Sequence, residues 1–582
     1  MIGPSFTTVV DTATTTTPLL AVSAAGDIVE GDSDYKGRSV VERSKFGGWR
    51  SASFIIGVEV AERFAYYGVS SNLITYLTGP LGQSTATAAA NVNAWSGAAS
   101  LLPLLGAFVA DSFLGRYRTI IISSCLYTLA IGLLFMSVVL PFDGVLECGG
   151  GTFSDSCSPP LVQVILFFFA LYLVAIAQGG HKPCIQAFGA DQFDAQDPKE
   201  CKAKSSFFNW WYFCMCGGST VSIMIMNYIQ DNLSWGLGFG IPCIVIIFAL
   251  VIFLLGTKTY RFGTTSDDGI RRSSFSRISL VFIKAARNWR IKEEEAPGVA
   301  LGSQQFRFIN KALLHSHVNS NKVDNTCTIE EVEEAKAILR LVPIWGSCLI
   351  YAIVFAQVTT LFTKQGVTMD RSITPSFNIP PASLQSLTSL SIVIFLPIYD
   401  QIFVPKTRAI TGIPSGITML QRIGFGIFLS IVSMSIAAIV ERKRLITAFH
   451  CGLIDKPKET IPISVWWLVP QYILLGISDV FTIVGLQEFF YDQVPPELKS
   501  VGLAIYLSIL GVGNLLSVLL IYVIETITNR DDRDSWFSTN LNRAHLDYFY
   551  WLLVGLSMFM FIVYLYFARR YIYNRLGKGT II

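Results

Sequence analysis

The stretch SFIIGVEVAERFAYYGVSSNLITYL, residues 53–77, decides the fold. Its length and apolar character suit one pass through a bilayer, which needs about 20 such residues as a helix. Yet it carries Glu59, Glu62 and Arg63 at i, i+3 and i+4, so the three charges project from one helical face. Each ionisable side chain at that depth costs roughly 3 kcal/mol on insertion scales, and it persists only where it faces a bundle interior or a watery cavity. Tyr66 and Tyr67 continue the same stripe. One reading of the trio is an internal salt bridge that pins this span to its neighbours. The other is a proton site, because two acids and one base leave a spare carboxylate, and that imbalance favours function.

Composition agrees with a bilayer as solvent. Of 582 residues, 52% are hydrophobic and 15% charged, where soluble domains average about 25% charged. Phe 41, Tyr 22 and Trp 11 exclude a disordered, fibrous or disulfide-scaffold chain. A net charge of +3 gives no basis for a nucleic-acid partner. Working outward from the first span, apolar windows recur at 53–78, 87–111, 117–140, 161–183, 206–229 and 237–256. A second set falls at 338–362, 382–404, 417–440, 464–490, 500–526 and 547–570. We expect an all-α membrane protein of twelve transmembrane helices in two six-helix bundles, 53–256 and 338–570. A polar cytoplasmic linker, 257–337, joins them, with tails at 1–52 and 571–582. The first tail, polar and Thr-rich, reads as disordered, and the run IEEVEEAKAILRL (329–341) as a solvated amphipathic helix leading into the seventh span.

Orientation follows from the short loops. Arg116 and Arg118 follow the second span, and Lys199, Lys202 and Lys204 follow the fourth, while the alternate loops of the first half carry neither Lys nor Arg. Both termini and the linker are therefore expected in the cytoplasm. The run ERKR (441–444) falls on the outer side and breaks that pattern. The outer segment PFDGVLECGGGTFSDSCSPP holds Cys148 and Cys157, either a disulfide or two free thiols. In the linker, GIRRSSFSRIS sets Arg271 and Arg272 before Ser274, a pattern that suits a basophilic protein kinase.

Further charges lie inside apolar runs. Span 4 reads IAQGGHKPCIQAFGADQFD, and a desolvated Lys182 needs a carboxylate. Asp479, deep in span 10 (YILLGISDVFTIVGLQEFFYDQ), is the best candidate and would tie one bundle to the other; Glu488 stands near the end of the same span. His181 either joins a proton relay or is a hydrogen-bonded neighbour of Lys182. Asp111 and Arg116, in GAFVADSFLGRYRTI, read as a tight charged turn, and Pro470 in WWLVPQY as an interruption suited to a gating helix. Gly217 and Gly218 read as points of close helix approach. No HExxH, Walker loop or GxSxG occurs and the histidines are scattered, so an enzyme is not expected. Nor is a metal or other cofactor; the driving force would be a proton gradient.

Together, ExxERFxYYG (59–68), the GRY turn, GGHKP with FGADQFD, FFNWWYF (207–213), and PQY with EFFYDQ resemble the proton-coupled oligopeptide transporter family, also called the nitrate/peptide transporter family, of plants. The resemblance runs from about residue 50 to 572 and implies a major facilitator fold. It implies proton coupling at Glu59, Glu62 and Arg63, with Arg63 also holding an anionic substrate group, and an interbundle salt bridge between Lys182 and Asp479. Implied substrate contacts are Arg63, Tyr67, Lys182, Phe355, Gln357 and Asp479. Two departures matter. Cys216 replaces an Asn usual in the family, and Phe355 stands where a nitrate carrier of the family has its nitrate-binding His. Ser112 occupies the place of a phosphorylatable Thr in that carrier. The expected function is proton-coupled symport of a small nitrogenous solute, nitrate or a di/tripeptide, across the plasma or vacuolar membrane by alternating access. A larger organic anion, such as a hormone or specialised metabolite, is the alternative cargo, and a membrane sensor without flux the alternative role.

Overall fold

A computed structural model describes residues 32–40, 43–140, 159–194, 197–263, 274–289, 306–313, 327–375, 377–412, 417–495, 498–529 and 535–571. The first bundle contains α1 (Gly48–Ser70), α2 (Leu73–Thr78), α3 (Thr85–Val109), α4 (Arg116–Val139), α5 (Leu161–Ala190), α6 (Pro198–Asn232) and α7 (Trp235–Gly256). The linker holds α8 (Ser274–Arg287) and α9 (Arg307–Asn310). The second bundle contains α10 (Ile329–Phe355), α11 (Leu361–Val367), α12 (Ser386–Ile398), α13 (Val404–Thr411), α14 (Met419–His450), α15 (Val469–Asp492), α16 (Lys499–Thr528) and α17 (Leu546–Arg570). Among the described residues, eleven helical stretches are long and apolar enough to cross a membrane. The twelfth pass, α1, differs because Glu59, Glu62 and Arg63 sit in its middle.

Helix starts follow local chemistry. Ser84 caps α3 by accepting from the Thr87 amide, and Thr328 with Glu331, then Thr418 with Gln421, build reciprocal caps on α10 and α14. Outward-facing Phe169, Phe248 and Phe559 are exposed, as a lipid-facing surface requires. Short ladders finish the fold: β1 (Asp32–Ser33) antiparallel to β2 (Phe262–Gly263), and β3 (Met369–Asp370) parallel to β6 (Ile461–Ser464). Between them in the chain, β4 (Ser372–Thr374) pairs antiparallel with β5 (Phe377–Asn378).

The bundles meet along α3 with α16 and α6 with α12. Hydrogen bonds between them lie toward the end away from the linker. Lys364 Nζ donates to Thr78 Oγ1 at 3.0 Å, Gln385 Nε2 to the Ser71 carbonyl at 2.8 Å, and Asn93 Nδ2 to Ser517 Oγ at 3.0 Å. The helices also share interruptions that the sequence does not announce. The first pass breaks at Ser71–Asn72 and the seventh at Ala356–Thr360. The second ends in a wide π turn, Ala110–Leu114, and the eighth carries one, Tyr399–Phe403, before running on as α13; each has an aspartate, Asp111 or Asp400, at its second position.

Several expectations are corrected. The first tail is not without structure up to residue 52: α1 begins at Gly48, and residues within 32–40 and 43–47 dock on the bundle. Arg43 pairs with Asp194 and Asp197 at 2.8 Å each. Arg261, 1% exposed, forks onto Glu200 at 2.7 and 3.1 Å and donates to the Phe46 carbonyl. Gly47 has φ +76, and a Cβ there would stand 2.2 Å from Arg261 Nε, so only glycine fits. The lead-in to the seventh span is solvated on one face only: Ile329 and Glu330 are exposed, but Glu334 and Lys336 are buried, where Val332 and Ala335 pack on Val281 and Ala285 of α8.

Pro470 does not interrupt the tenth span. It lies in the first turn of α15, where a missing amide N–H costs no helical hydrogen bond. The ERKR run is not a loop. Arg444 and Glu441, both fully buried on α14, pair at 2.6 Å, and Arg444 also donates to Asn542 Oδ1 and the Leu541 carbonyl. These two charges therefore carry no topological weight. Gly218 does approach the Val60 carbonyl, whereas Gly217 has nothing within 4 Å of a Cβ. Cys148 and Cys157 lie outside the described residues. Asp111 and Ser112 fall within the first π turn, and Ser274 opens α8.

Candidate functional site

On α1, i, i+3 and i+4 spacing delivers Glu59, Glu62 and Arg63 to one buried point. Arg63 Nε lies 2.5 Å from Glu62 Oε2 and 3.2 Å from Glu59 Oε1. All three side chains are at most 5% exposed. The cation stands 5.4 Å from the Tyr66 ring, which stacks on Trp95 at 5.6 Å. Two acids share one base, so the group carries a spare negative charge. Glu59 Oε2 and Glu62 Oε1 are buried without a hydrogen-bond partner. Such oxygens are costly in a low dielectric, and a proton on one of them relieves the charge.

Lys182 and His181 reach this point because α5 lies unusually close to its neighbours. A Cβ on Gly106 would stand 2.1 Å from the Gly179 carbonyl oxygen, and one on Gly180 2.2 Å from Ser123 Oγ. The GGHKP glycines thus let α5 press backbone to backbone against α3. The helix continues to Ala190, so Lys182 sits inside it and not in a loop. Its electrostatic partners are Arg63, Glu62 and Glu59. His181 is buried, with Nδ1 unpartnered.

Across the bundle interface, Asp479 on α15 is 7% exposed. It does not meet Lys182 in this conformation. Its Oδ1 accepts a short hydrogen bond from Tyr351 Oη on α10 of its own bundle. Tyr67 lies within electrostatic range of both Arg63 and Asp479. Phe355, one turn beyond Tyr351, stacks on it with ring centroids 6.5 Å apart and planes 19° from parallel. Cys216 is buried nearby and interacts with Tyr67 and Tyr212.

Gln357 is not presented to a substrate. Its amide donates to the Ile353 carbonyl and to Ser517 Oγ, and its oxygen accepts from Thr360. Both of its N–H groups are used, and because Ser517 also accepts from Asn93, Gln357 belongs to the seam between bundles. Glu488 and Arg116 lie at the linker end. Glu488 pairs with Arg422 at 3.2 Å, and Arg116 with Asp191 at 2.5 Å.

Sequence reading missed Tyr351, Tyr506 and Arg422. The i, i+4 spacing of Tyr351 and Phe355 was available as a signal that both face one way. Among the described residues, no group of three or more His, Cys, Asp or Glu could hold a metal ion.

The POT family model matches residues 117–537. The chain is 60% identical to Protein NRT1/PTR FAMILY 5.10 of Arabidopsis thaliana over 571 residues, 97% of this chain and 98% of that one. It is 55% identical to Protein NRT1/PTR FAMILY 5.13 of the same plant, over 93% of this chain and 96% of that one. In fold it is similar to the crystal structure of an auto-inhibited POT family peptide transporter, with a TM-score of 0.65, 23% identity, and 91% of this chain and 99% of that one covered.

Proposed function

Because the chain belongs to the POT family, a family of multi-pass membrane transporters and not enzymes, we propose that it is a proton-coupled symporter. Its cargo is a small nitrogenous solute, nitrate or a di/tripeptide. The observation that carries this reading is the buried group in which Glu59 and Glu62 share Arg63. Protonation of one acid weakens its hold on the guanidinium. Arg63, with Lys182 beside it, then has hydrogen-bonding capacity for a nitrate or a peptide carboxylate. A peptide amine would meet Asp479 across the interface. Neither carboxylate needs a bound cofactor, since the proton gradient supplies the free energy. Solute movement follows from two bundles alternating around a fixed central site.

The basic residues Arg116, Arg118, Lys199 and Lys204, in the first turns of α4 and α6, support an orientation with the linker and both termini in the cytoplasm. The membrane is the plasma membrane or that of the vacuole. One observation favours a second cargo, a larger organic anion. Phe355 and Tyr351 form an aromatic wall, and Cys216 beside Tyr212 is a small apolar side chain, where polar groups would serve nitrate. A solute panel in oocytes, run at acid and neutral external pH, tests both. Nitrate or dipeptide uptake that rises with external acidity supports the first reading. Uptake confined to bulkier anions supports the second, and flux of all solutes indifferent to pH contradicts proton coupling.

A further inference from the structure

Asp479 is hydrogen-bonded by a residue of its own bundle. Tyr351 is fully buried, and its hydroxyl is directed at Asp479 Oδ1. Phe355 fixes the ring from one turn away. On α15, Ser478 and Thr482 flank the same hydroxyl, but Ser478 Oγ is already donated to the Gly426 carbonyl at 2.6 Å. The other titratable groups facing Asp479 are Tyr506 from α16, and Tyr67 and Tyr212 from α1 and α6. Of these phenols, Tyr351 is the one hydrogen-bonded to the carboxylate among the described residues. Lys182, the cation able to bridge the bundles, meanwhile interacts with the trio on α1.

We propose that Tyr351 is a positioning residue that competes with Lys182 for Asp479, and so sets how readily the two bundles close on each other at the linker end. The inference rests on the symport reading above. While the phenol holds Oδ1, the carboxylate stays with the second bundle. When the linker end closes, Lys182 must draw Asp479 from that hydrogen bond. A phenol–carboxylate bond and a lysine–carboxylate pair are both charge-assisted, so the exchange is between contacts of similar strength. Such a near balance permits cycling, whereas an uncontested Lys182–Asp479 pair would hold the linker end shut.

Tyr351→Phe keeps the ring and its stacking but removes the competitor. Spin labels carried on non-natural amino acids at Gln186 and Gln487, exposed positions toward the linker ends of α5 and α15, report the separation there. In purified, solute-free protein, the ratio of closed to open linker end is expected to rise about tenfold in Tyr351→Phe, the scale of one charge-assisted hydrogen bond. Adding Lys182→Met should return the distribution to that of the wild type, which a purely structural role for the phenol would not produce. An unchanged distribution in Tyr351→Phe, or a shift that Lys182→Met leaves in place, overturns the proposal. The measurement involves no transport, so failure of the latch and failure of the symport reading are told apart.

Discussion

Arg63 Nε stands 2.5 Å from Glu62 and 3.2 Å from Glu59, so one guanidinium serves two carboxylates on successive turns of α1. The planar fork of arginine can satisfy both at once, while an ammonium is a point charge on a more flexible stem. Arg63→Lys is therefore expected to reach the membrane at normal levels and to lose tenfold or more of its uptake rate. Uptake assays beside surface immunoblots check this, and wild-type uptake in the variant would count against the role given to Arg63.

The close approach of α3 and α5 gives a second prediction. A methyl on Gly106 would meet the Gly179 carbonyl at 2.1 Å, a backbone atom that cannot move aside alone. Gly106→Ala should destabilise the protein by about 3 kcal/mol or more, at the upper end of overpacking costs. Gly217→Ala, where a Cβ meets nothing within 4 Å, should be neutral. Thermal unfolding of the purified variants in detergent separates the two; equal melting temperatures would refute the packing argument.

The pair of Glu441 and Arg444 supplies a third. Both are wholly buried, and Arg444 also holds Asn542 and the Leu541 carbonyl. Removing one partner strands a charge, so Arg444→Ala should cost about 3–5 kcal/mol. The double change Glu441→Gln with Arg444→Met removes both charges and should recover part of that loss. Melting temperatures of the single and double variants test the sign, which reverses if the pair is dispensable.

How much of this was legible before the fold differs from residue to residue. The trio on α1 was, because ionisable groups in an apolar run admit few explanations. Lys182 and Asp479 stood out for the same reason, and two glycines before His181 announced close packing. Tyr351 did not. A tyrosine among Leu349, Ile350 and Ala352 reads as packing, and only the tertiary fold brings its hydroxyl to Asp479. The docked segment around Arg43 was hidden because its partners, Arg261 and Asp194, lie far along the chain and meet only after folding. The paired interruptions of the two bundles were hidden too, since equivalent turns are built from unlike residues, ADSFL in one and YDQIF in the other.

The docked segment has its own pH dependence. Burial pushes the Asp32 carboxyl up against the pull of Arg261, with Asp194 adding to the rise. A carboxyl that holds its proton more tightly when docked favours docking at low pH, and this contribution is lost as pH rises through its raised value. Protection of the Gly47 and Gly48 amides, which donate to the Thr259 and Gln192 carbonyls, should therefore increase as pH falls. Asp32→Asn should flatten that dependence. Hydrogen exchange corrected for intrinsic rates measures both, and protection that grows with rising pH would reverse the assignment.

Proton movement itself is the central claim. Purified protein in liposomes containing a pH-sensitive dye, with nitrate or a dipeptide added outside in the absence of any imposed gradient, reports it directly. Solute entry is expected to acidify the lumen of wild-type vesicles and to leave the lumen of Glu62→Gln vesicles unchanged. Solute entry into wild-type vesicles with no change in lumenal pH would contradict the account.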